Sequence, residues 1–233
     1  MKITLSFLAF LFVLNIHGAS AQSLLSAEEV IEKAITATGG KEYLKSVKTL
    51  YSDLATVMEG RNVNWITKEM MPNKGSFIIM YQGRTVFRNF YDGEKGYEIS
   101  GSEKKLADQE EFSDKKFRKN IFNELDYLDK SLYSLSLENE EKVGSEVCYK
   151  VKATCVNGTV RLLYYSKTTF YQLREDKLTS EKANFDTTYF YKYKRFGKLN
   201  YYSELTFGTG DQAQSAKLVE LLVNEKVSDA DFK

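Results

Sequence analysis

The sequence has 233 residues, with 33 lysines and arginines against 32 aspartates and glutamates and a formal charge of +1. The basic residues are interspersed with acidic ones, as in Glu94-Lys95 and Glu103-Lys104-Lys105, so they form a solvated surface and offer no cationic face to nucleic acid.

Met1 and Lys2 precede the apolar run 5–16 (LSFLAFLFVLNI), which ends before Gly18-Ala19-Ser20-Ala21. This is the pattern of a secretory signal peptide over 1–21, with Ala19-x-Ala21 as the cleavage signal. The run is well short of the roughly 20 residues a membrane-spanning helix needs. No cysteine lies near the cut, so a soluble, non-lipidated protein that works outside the cytoplasm is expected. Residues 22–233 suffice for a single domain.

His17 is the only histidine and leaves with the leader. Histidine-based nucleophilic triads and histidine zinc sites therefore need a residue the processed chain lacks. The acidic clusters Asp108–Glu111 and Glu138–Glu141 stand in polar surroundings, without the apolar context that raises a carboxyl pKa for acid catalysis. The expectation is a protein that is not an enzyme and needs neither metal nor cofactor.

Ser26-Ala27-Glu28-Glu29 is a capping box, and Val30, Ile31, Ala34, Ile35 and Ala37 follow at helical spacing, so a helix is predicted over 27–38. Gly39-Gly40 should end it, with a short second helix through 43–47. Strand-like stretches follow at 49–59, 63–71, 75–82, 85–91 and 96–100, separated by turn residues such as Gly60-Arg61 and Asp92-Gly93. Residues 109–128 lose the alternation and suit helical turns. Strand patterns return at 133–143, 146–155, 159–166, 169–179, 182–194 and 198–207, and a last one covers 216–225. Asn157-Gly158 is the strongest hairpin signal in the chain. So many strands joined by short turns describe an antiparallel sheet of 10–12 strands, and a sheet that long curls toward a barrel.

Within 146–155, Val147, Tyr149, Val151 and Ala153 alternate with polar residues. They are expected to point inward, with Cys148, Lys150 and Lys152 toward solvent. Cys148 and Cys155 would then lie about 23 Å apart along one strand, too far for a disulfide, so free thiols are expected.

Aromatic residues are abundant, with 16 tyrosines, 15 phenylalanines and 1 tryptophan. Several fall in one-sided rows. A filled core explains them, and so does a cavity for an apolar ligand. The alternation does not separate the two.

The order of several short stretches resembles that of the LolA/LolB-like superfamily of periplasmic lipoprotein carriers, in particular lipoprotein-sorting relatives of the Bacteroidota. They are AEEVIEKA (27–34), ATGGKEYL (37–44), VKTL (47–50), PNK (72–74), YDGEKGY (91–97) and VNEKVSDADF (223–232). The resemblance implies an unclosed antiparallel β-barrel with helices covering its mouth. Its apolar cavity would receive acyl chains or lipoprotein cargo, with no covalent chemistry. It further implies a monomer in transient contact with membrane-bound partners. On this reading the cavity lining is Trp65, Phe77, Ile79, Phe90, Val151, Leu162, Tyr189, Tyr191, Leu205 and Phe207, with the helix edge Val30, Ile31 and Ala34. Arg61, Arg84 and Arg88 are the candidates for the carriers' cavity arginine. Arg88 has two readings: inward beside a lipid head group, or outward on a strand whose buried face is Phe87-Asn89-Tyr91. A protein-binding β domain with a packed interior is the alternative to the carrier.

Overall fold

The computed structural model describes residues 25–178 and 185–233. The leader expected at 1–21 lies outside them.

Helix α1 (Ala27–Thr38) starts where the capping box places it. Glu29 N–H donates to Ser26 Oγ at 3.1 Å and Ser26 N–H to Glu29 Oε2 at 2.6 Å, so two free donors of the first turn are satisfied. Its stripe buries Val30, Ile31, Ala34 and Ile35. Each such aliphatic side chain larger than alanine contributes about 1.5–3 kcal/mol relative to exposure. Gly40, at φ 89°, takes the left-handed turn into α2 (Lys41–Ser46).

Strands β1 (Thr49–Met58), β2 (Arg61–Met70), β3 (Lys74–Tyr81), β4 (Arg84–Tyr91), β5 (Gly96–Ser100) and β6 (Glu103–Leu106) form a meander. The chain then crosses to the far edge of the sheet through two 3-10 turns, Gln109–Phe112 and Lys115–Phe117, and helix α3 (Asn123–Tyr127). The crossing is pinned at both ends. Gln109 exchanges hydrogen bonds with the Gly96 backbone at 3.0 and 2.9 Å, and the Asp126 carboxylate accepts from Lys119 N–H, Asn120 N–H and Asn120 Nδ2.

The second half comprises β7 (Tyr133–Leu137), β8 (Glu141–Val143), β9 (Glu146–Cys155), β10 (Val160–Ser166), β11 (Gln172–Leu178) and β12 (Phe185–Tyr191). It continues with β13 (Lys194–Phe196), β14 (Leu199–Tyr201), β15 (Glu204–Phe207) and β16 (Gln214–Val223). Fourteen strands make one antiparallel sheet in the order β6-β5-β4-β3-β2-β1-β16-β15-β12-β11-β10-β9-β7, with β8 also on β9. The edges β6 and β7 do not pair, so the barrel is unclosed, as expected.

The expected strand count of ten to twelve is too low for physical reasons visible in the register. The stretch 133–143 breaks into β7 and β8, both paired with β9. The two stretches 182–194 and 198–207 give four strands, β12 to β15, because the chain leaves the sheet after Tyr191. It forms the separate hairpin β13–β14, and returns where Ser203 N–H donates to the Tyr191 and Lys192 carbonyls at 3.2 Å.

Helices α1 and α3 lie over the β7–β9 part of the sheet and share one hydrophobic core with Val151, Ala153, Leu163 and Tyr165. The opposite face of β1–β5 is covered too. The C-terminal 3-10 turn, Asp229–Phe232, buries Phe232 and ties it down with Lys68–Asp231 and Lys74–Asp229 ion pairs. On the outer face of β10–β12, Asp176 is buried and accepts from Tyr164 Oη at 3.0 Å, Thr187 Oγ1 at 2.9 Å and, bidentately, Arg174 at 2.8 and 2.7 Å.

Cys148 and Cys155 are both free, on opposite faces of β9, and both buried. The solvent-facing Cys148 expected from alternation is corrected here: β8 and Ser166 pack around it and leave it 0% exposed. Burial, followed by the charge of Glu146, pushes its thiol up to about 11.

Candidate functional site: a two-part cavity inside the curved sheet

The register fixes which side chains meet on the concave face. Leu54, Trp65 and Ile79 lie opposite one another on β1, β2 and β3, and the next row is Ser52, Thr67 and Phe77. Across the sheet, Glu175, Thr188 and Phe207 form one row, and Phe190 and Leu205 another. The two walls enclose a cavity of about 620 Å³, inside the roughly 300–1,000 Å³ usual for small-molecule sites. Its surface is mainly apolar. Trp65 and Phe77 meet edge to face at 6.1 Å. Phe207, 45% exposed, stands at the opening.

Five of the residues chosen from sequence, Trp65, Phe77, Ile79, Leu205 and Phe207, line this space together. The others are elsewhere. Val30, Ile31, Ala34 and Val151 are buried in the core under the helices, where they close off the barrel rather than line its cavity. Leu162 pairs with Lys152 and Asp176 on the outer face, because the inward row of β10 is Arg161, Leu163 and Tyr165. Tyr189 and Tyr191 also point outward, stacked on each other at 6.3 Å, with Arg174 over Tyr189. Thr188 and Phe190 face inward in their place.

Arg88 and Phe90 lie on the outer face as well, under the C-terminal turn: Arg88 Nη2 donates to the Asp231 carbonyl at 2.9 Å and its guanidinium lies 5.0 Å from the Phe90 ring. The inward row of β4 is Phe87, Asn89 and Tyr91, the second of the two readings for Arg88. Arg61 and Arg84 are exposed at strand ends. None of the three candidate arginines reaches the cavity.

The arginine at the cavity is Arg118, which sequence reasoning missed. It comes from the crossover, where no periodicity marks it. Leu50, Glu69, Glu175, Phe190, Tyr201 and Tyr202 line both this cavity and an adjoining inner chamber of about 230 Å³ roofed by α1 and the crossover. Tyr201 and Tyr202 come from the β13–β14 hairpin, stacked at 4.2 Å with their hydroxyls 3.1 Å apart. Asn200 Nδ2 holds that hairpin to α1 through the Ala37 carbonyl at 2.7 Å.

Charge is concentrated around the chamber. Glu69 pairs with Arg118, and Lys115 lies 3.9 Å away. Burial alone would raise the Glu69 carboxyl, but Arg118 and then Lys115 outweigh it and hold the group below the usual range. Arg118 is fixed further by the Asn120 carbonyl at 3.0 Å and by the Ile121 carbonyl. Arg161 pairs with Glu175 and, at 2.5 Å, with Asp114, which Lys177 also reaches at 3.1 Å. Burial opposes ionisation of Asp114, yet Arg161 and Lys177 bring it down to about 2. Burial lowers Lys115 to about 8, with the Arg118 charge acting the same way.

Glu124 is different. Among the described residues no cation pairs with it, and burial, with Glu175 next among the causes that raise it, lifts its carboxyl to about 7. Two tyrosine hydroxyls on the same chamber, Tyr127 and Tyr165, are buried without a hydrogen-bond partner.

Among the described residues no group of three or more histidine, cysteine, aspartate or glutamate side chains is placed to hold a metal ion, and no helix is long and apolar enough to cross a membrane.

The sequence matches no family model and no curated protein. Solved structures share the fold at low identity. A LolA superfamily protein from Nitrosomonas europaea aligns over 90% of this chain and 98% of its own, at 10% identity and a TM-score of 0.60. A domain from Vibrio parahaemolyticus named for outer membrane lipoprotein sorting aligns over 88% and 95%, at 11% identity and 0.57. A DUF1329 family protein from Desulfovibrio piger aligns over 89% and 97%, at 14% identity and 0.53. The architecture is thus LolA-like: an open, strongly curved antiparallel sheet with a few helices on it.

Proposed function

We propose that this chain is a non-enzymatic periplasmic carrier or binder of acyl chains or lipoproteins, which it shelters in the apolar cavity. The observation that carries the reading is the cavity itself. Leu54, Trp65, Phe77, Ile79, Phe190 and Leu205 present continuous apolar wall around about 620 Å³ of space that opens beside Phe207. A chain entering it leaves water, and each buried methylene contributes roughly 0.8 kcal/mol. The unfilled interior favours a carrier over a binding domain whose interior is packed. The secretory leader read at 1–21 supports a periplasmic location, and the motif order supports kinship with Bacteroidota lipoprotein-sorting proteins. Delivery would involve transient contact of the monomer with membrane-bound partners.

Trp65 is the only tryptophan and lines the cavity, so its emission reports occupancy directly. Titration with dodecanol, an uncharged single-chain ligand, should shift that emission saturably. Ile79→Glu and Leu205→Glu should each weaken binding at least about tenfold, because a buried carboxylate without a partner is expensive, while circular dichroism stays unchanged. No saturable shift in the wild type, or full affinity in both folded variants, sinks the carrier reading.

A further inference from the structure

We propose that the inner chamber seats the polar end of the ligand and selects a cationic amine, so that the preferred occupant is a single-chain amphiphile with a primary ammonium head and its chain in the larger cavity. This rests on the acyl-chain reading of the same cavity and adds the chemistry of the head group.

Three observations converge. First, the two spaces adjoin and share Leu50, Glu69, Glu175, Phe190, Tyr201 and Tyr202 as lining, so a head group in one lies next to a chain in the other. Second, the chamber wall is a cage of rings, including Tyr127, Tyr165, Tyr193, Tyr201 and Tyr202. Aromatic faces attract a cation, most strongly where water is excluded. Third, the polar groups lacking partners suit an ammonium. Tyr127 and Tyr165 are 2% and 0% exposed, and their hydroxyl oxygens meet no donor or acceptor among the described residues. A primary ammonium brings three N–H donors and no acceptor. The two phenol oxygens and the Glu124 carboxylate can accept them.

The charges around Glu124 decide the sign. Glu69 and Glu175 of the sheet are already engaged by Arg118 and Arg161. Asp126, on the same helix, is saturated by the Lys119 and Asn120 backbone and the Asn120 amide. Among the described residues Arg118 is the one cation on the chamber wall, and it is held by Glu69 and two carbonyls. A carboxylate head group would therefore face Glu124 and Glu175 with no free cation to receive it. An ammonium would supply the charge Glu124 lacks, and a buried charge is tolerated when paired and hydrogen-bonded.

The test is a titration of Trp65 emission with dodecylamine, dodecanol and dodecanoate, each below its micelle concentration. Near pH 8 the amine should bind about tenfold or more tighter than either chain-matched ligand. Its affinity should rise several-fold, up to about tenfold, between about pH 6 and about pH 8, as Glu124 passes from mostly protonated to mostly ionised. Dodecanol affinity should stay level over that range. Glu124→Gln should abolish both the preference for the amine and its pH dependence while leaving dodecanol binding intact. Tyr165→Phe keeps the ring and removes one acceptor, and should weaken the amine alone. Dodecanoate binding as tightly as dodecylamine, or Glu124→Gln retaining the preference, overturns this proposal and leaves the carrier reading standing. If dodecanol gives no saturable binding, the carrier reading fails and takes this one with it.

Discussion

Glu124→Gln isolates what an unpaired carboxyl does to the stability of the empty protein. The Glu124 carboxyl is raised from 4.5 to about 7 chiefly by burial, which outweighs the opposing pull of its own backbone N–H; the charge of Glu175 adds to the rise and that of Arg118 opposes it. A folded-state pKa above the unfolded one means that the native state holds the proton more tightly. Both states are protonated well below pH 4.5, and Glu124 then carries no penalty. Stability falls as pH rises through the window from about 4.5 to about 7, and above it the full penalty is present. At about 1.36 kcal/mol per unit, the penalty is on the order of 2 to 3 kcal/mol once water in the chamber is allowed for.

Glutamine has nearly the same shape and no charge. Urea unfolding should give wild type and Glu124→Gln nearly equal stabilities near pH 4.5, and the variant should be the more stable by on the order of 2 kcal/mol near pH 8. Other carboxylates titrate in both proteins and cancel in the difference. Equal stability at both pH values, or a variant destabilised at pH 8, would refute the reasoning by showing that the ionised Glu124 is compensated.

Two further outcomes follow from packing. A methyl group on Gly96 would overlap the Phe112 ring, which also stacks on Tyr91 at 5.8 Å. Gly96→Ala should therefore lower stability by about 1–3 kcal/mol in urea unfolding, and a neutral result would mean that the first turn of the crossover moves aside freely. Native Cys148 and Cys155 should both react with a bulky thiol reagent far more slowly than in urea, being 0% and 3% exposed. Fast labelling of native Cys148 would contradict its burial beneath β8.

Much of the fold is legible in the sequence because local chemistry and tertiary role agree there. Ser26 and Glu29 cap α1, Asn157-Gly158 turns β9 into β10, and the alternation in β2, β3 and β15 assigns Trp65, Phe77, Ile79, Leu205 and Phe207 to the concave face. Alternation misleads where both faces of a strand are covered. In β4 the row Phe87, Asn89 and Tyr91 looks into the barrel, while on the other face Phe90 is buried and Arg88 donates to the Asp231 carbonyl of the C-terminal turn, which is remote in sequence. In β12 both rows hold rings, and only pairing with β11 and β15 shows that Phe190, and not Tyr189 or Tyr191, faces inward. The charged part of the site was hidden for another reason. Glu69 and Glu175 occupy inward positions of ordinary strands but are tolerated only because Arg118 and Arg161 reach them, and those pairings are made by the crossover and by register.

β16 is the last strand of the chain, yet it lies between β1 and β15, and the Lys48 backbone donates to the Asn224 side chain 176 residues away. The β1–β6 meander can form early from its own tight turns. One side of β1 nevertheless stays an unpaired ladder until residues 214–223 dock on it. Pairings between such distant segments form slowly, and an open strand edge is a template for another chain. The wait for β16 therefore sets the interval during which this chain is most vulnerable to self-association, and a chain that stops before β16 keeps that open edge permanently.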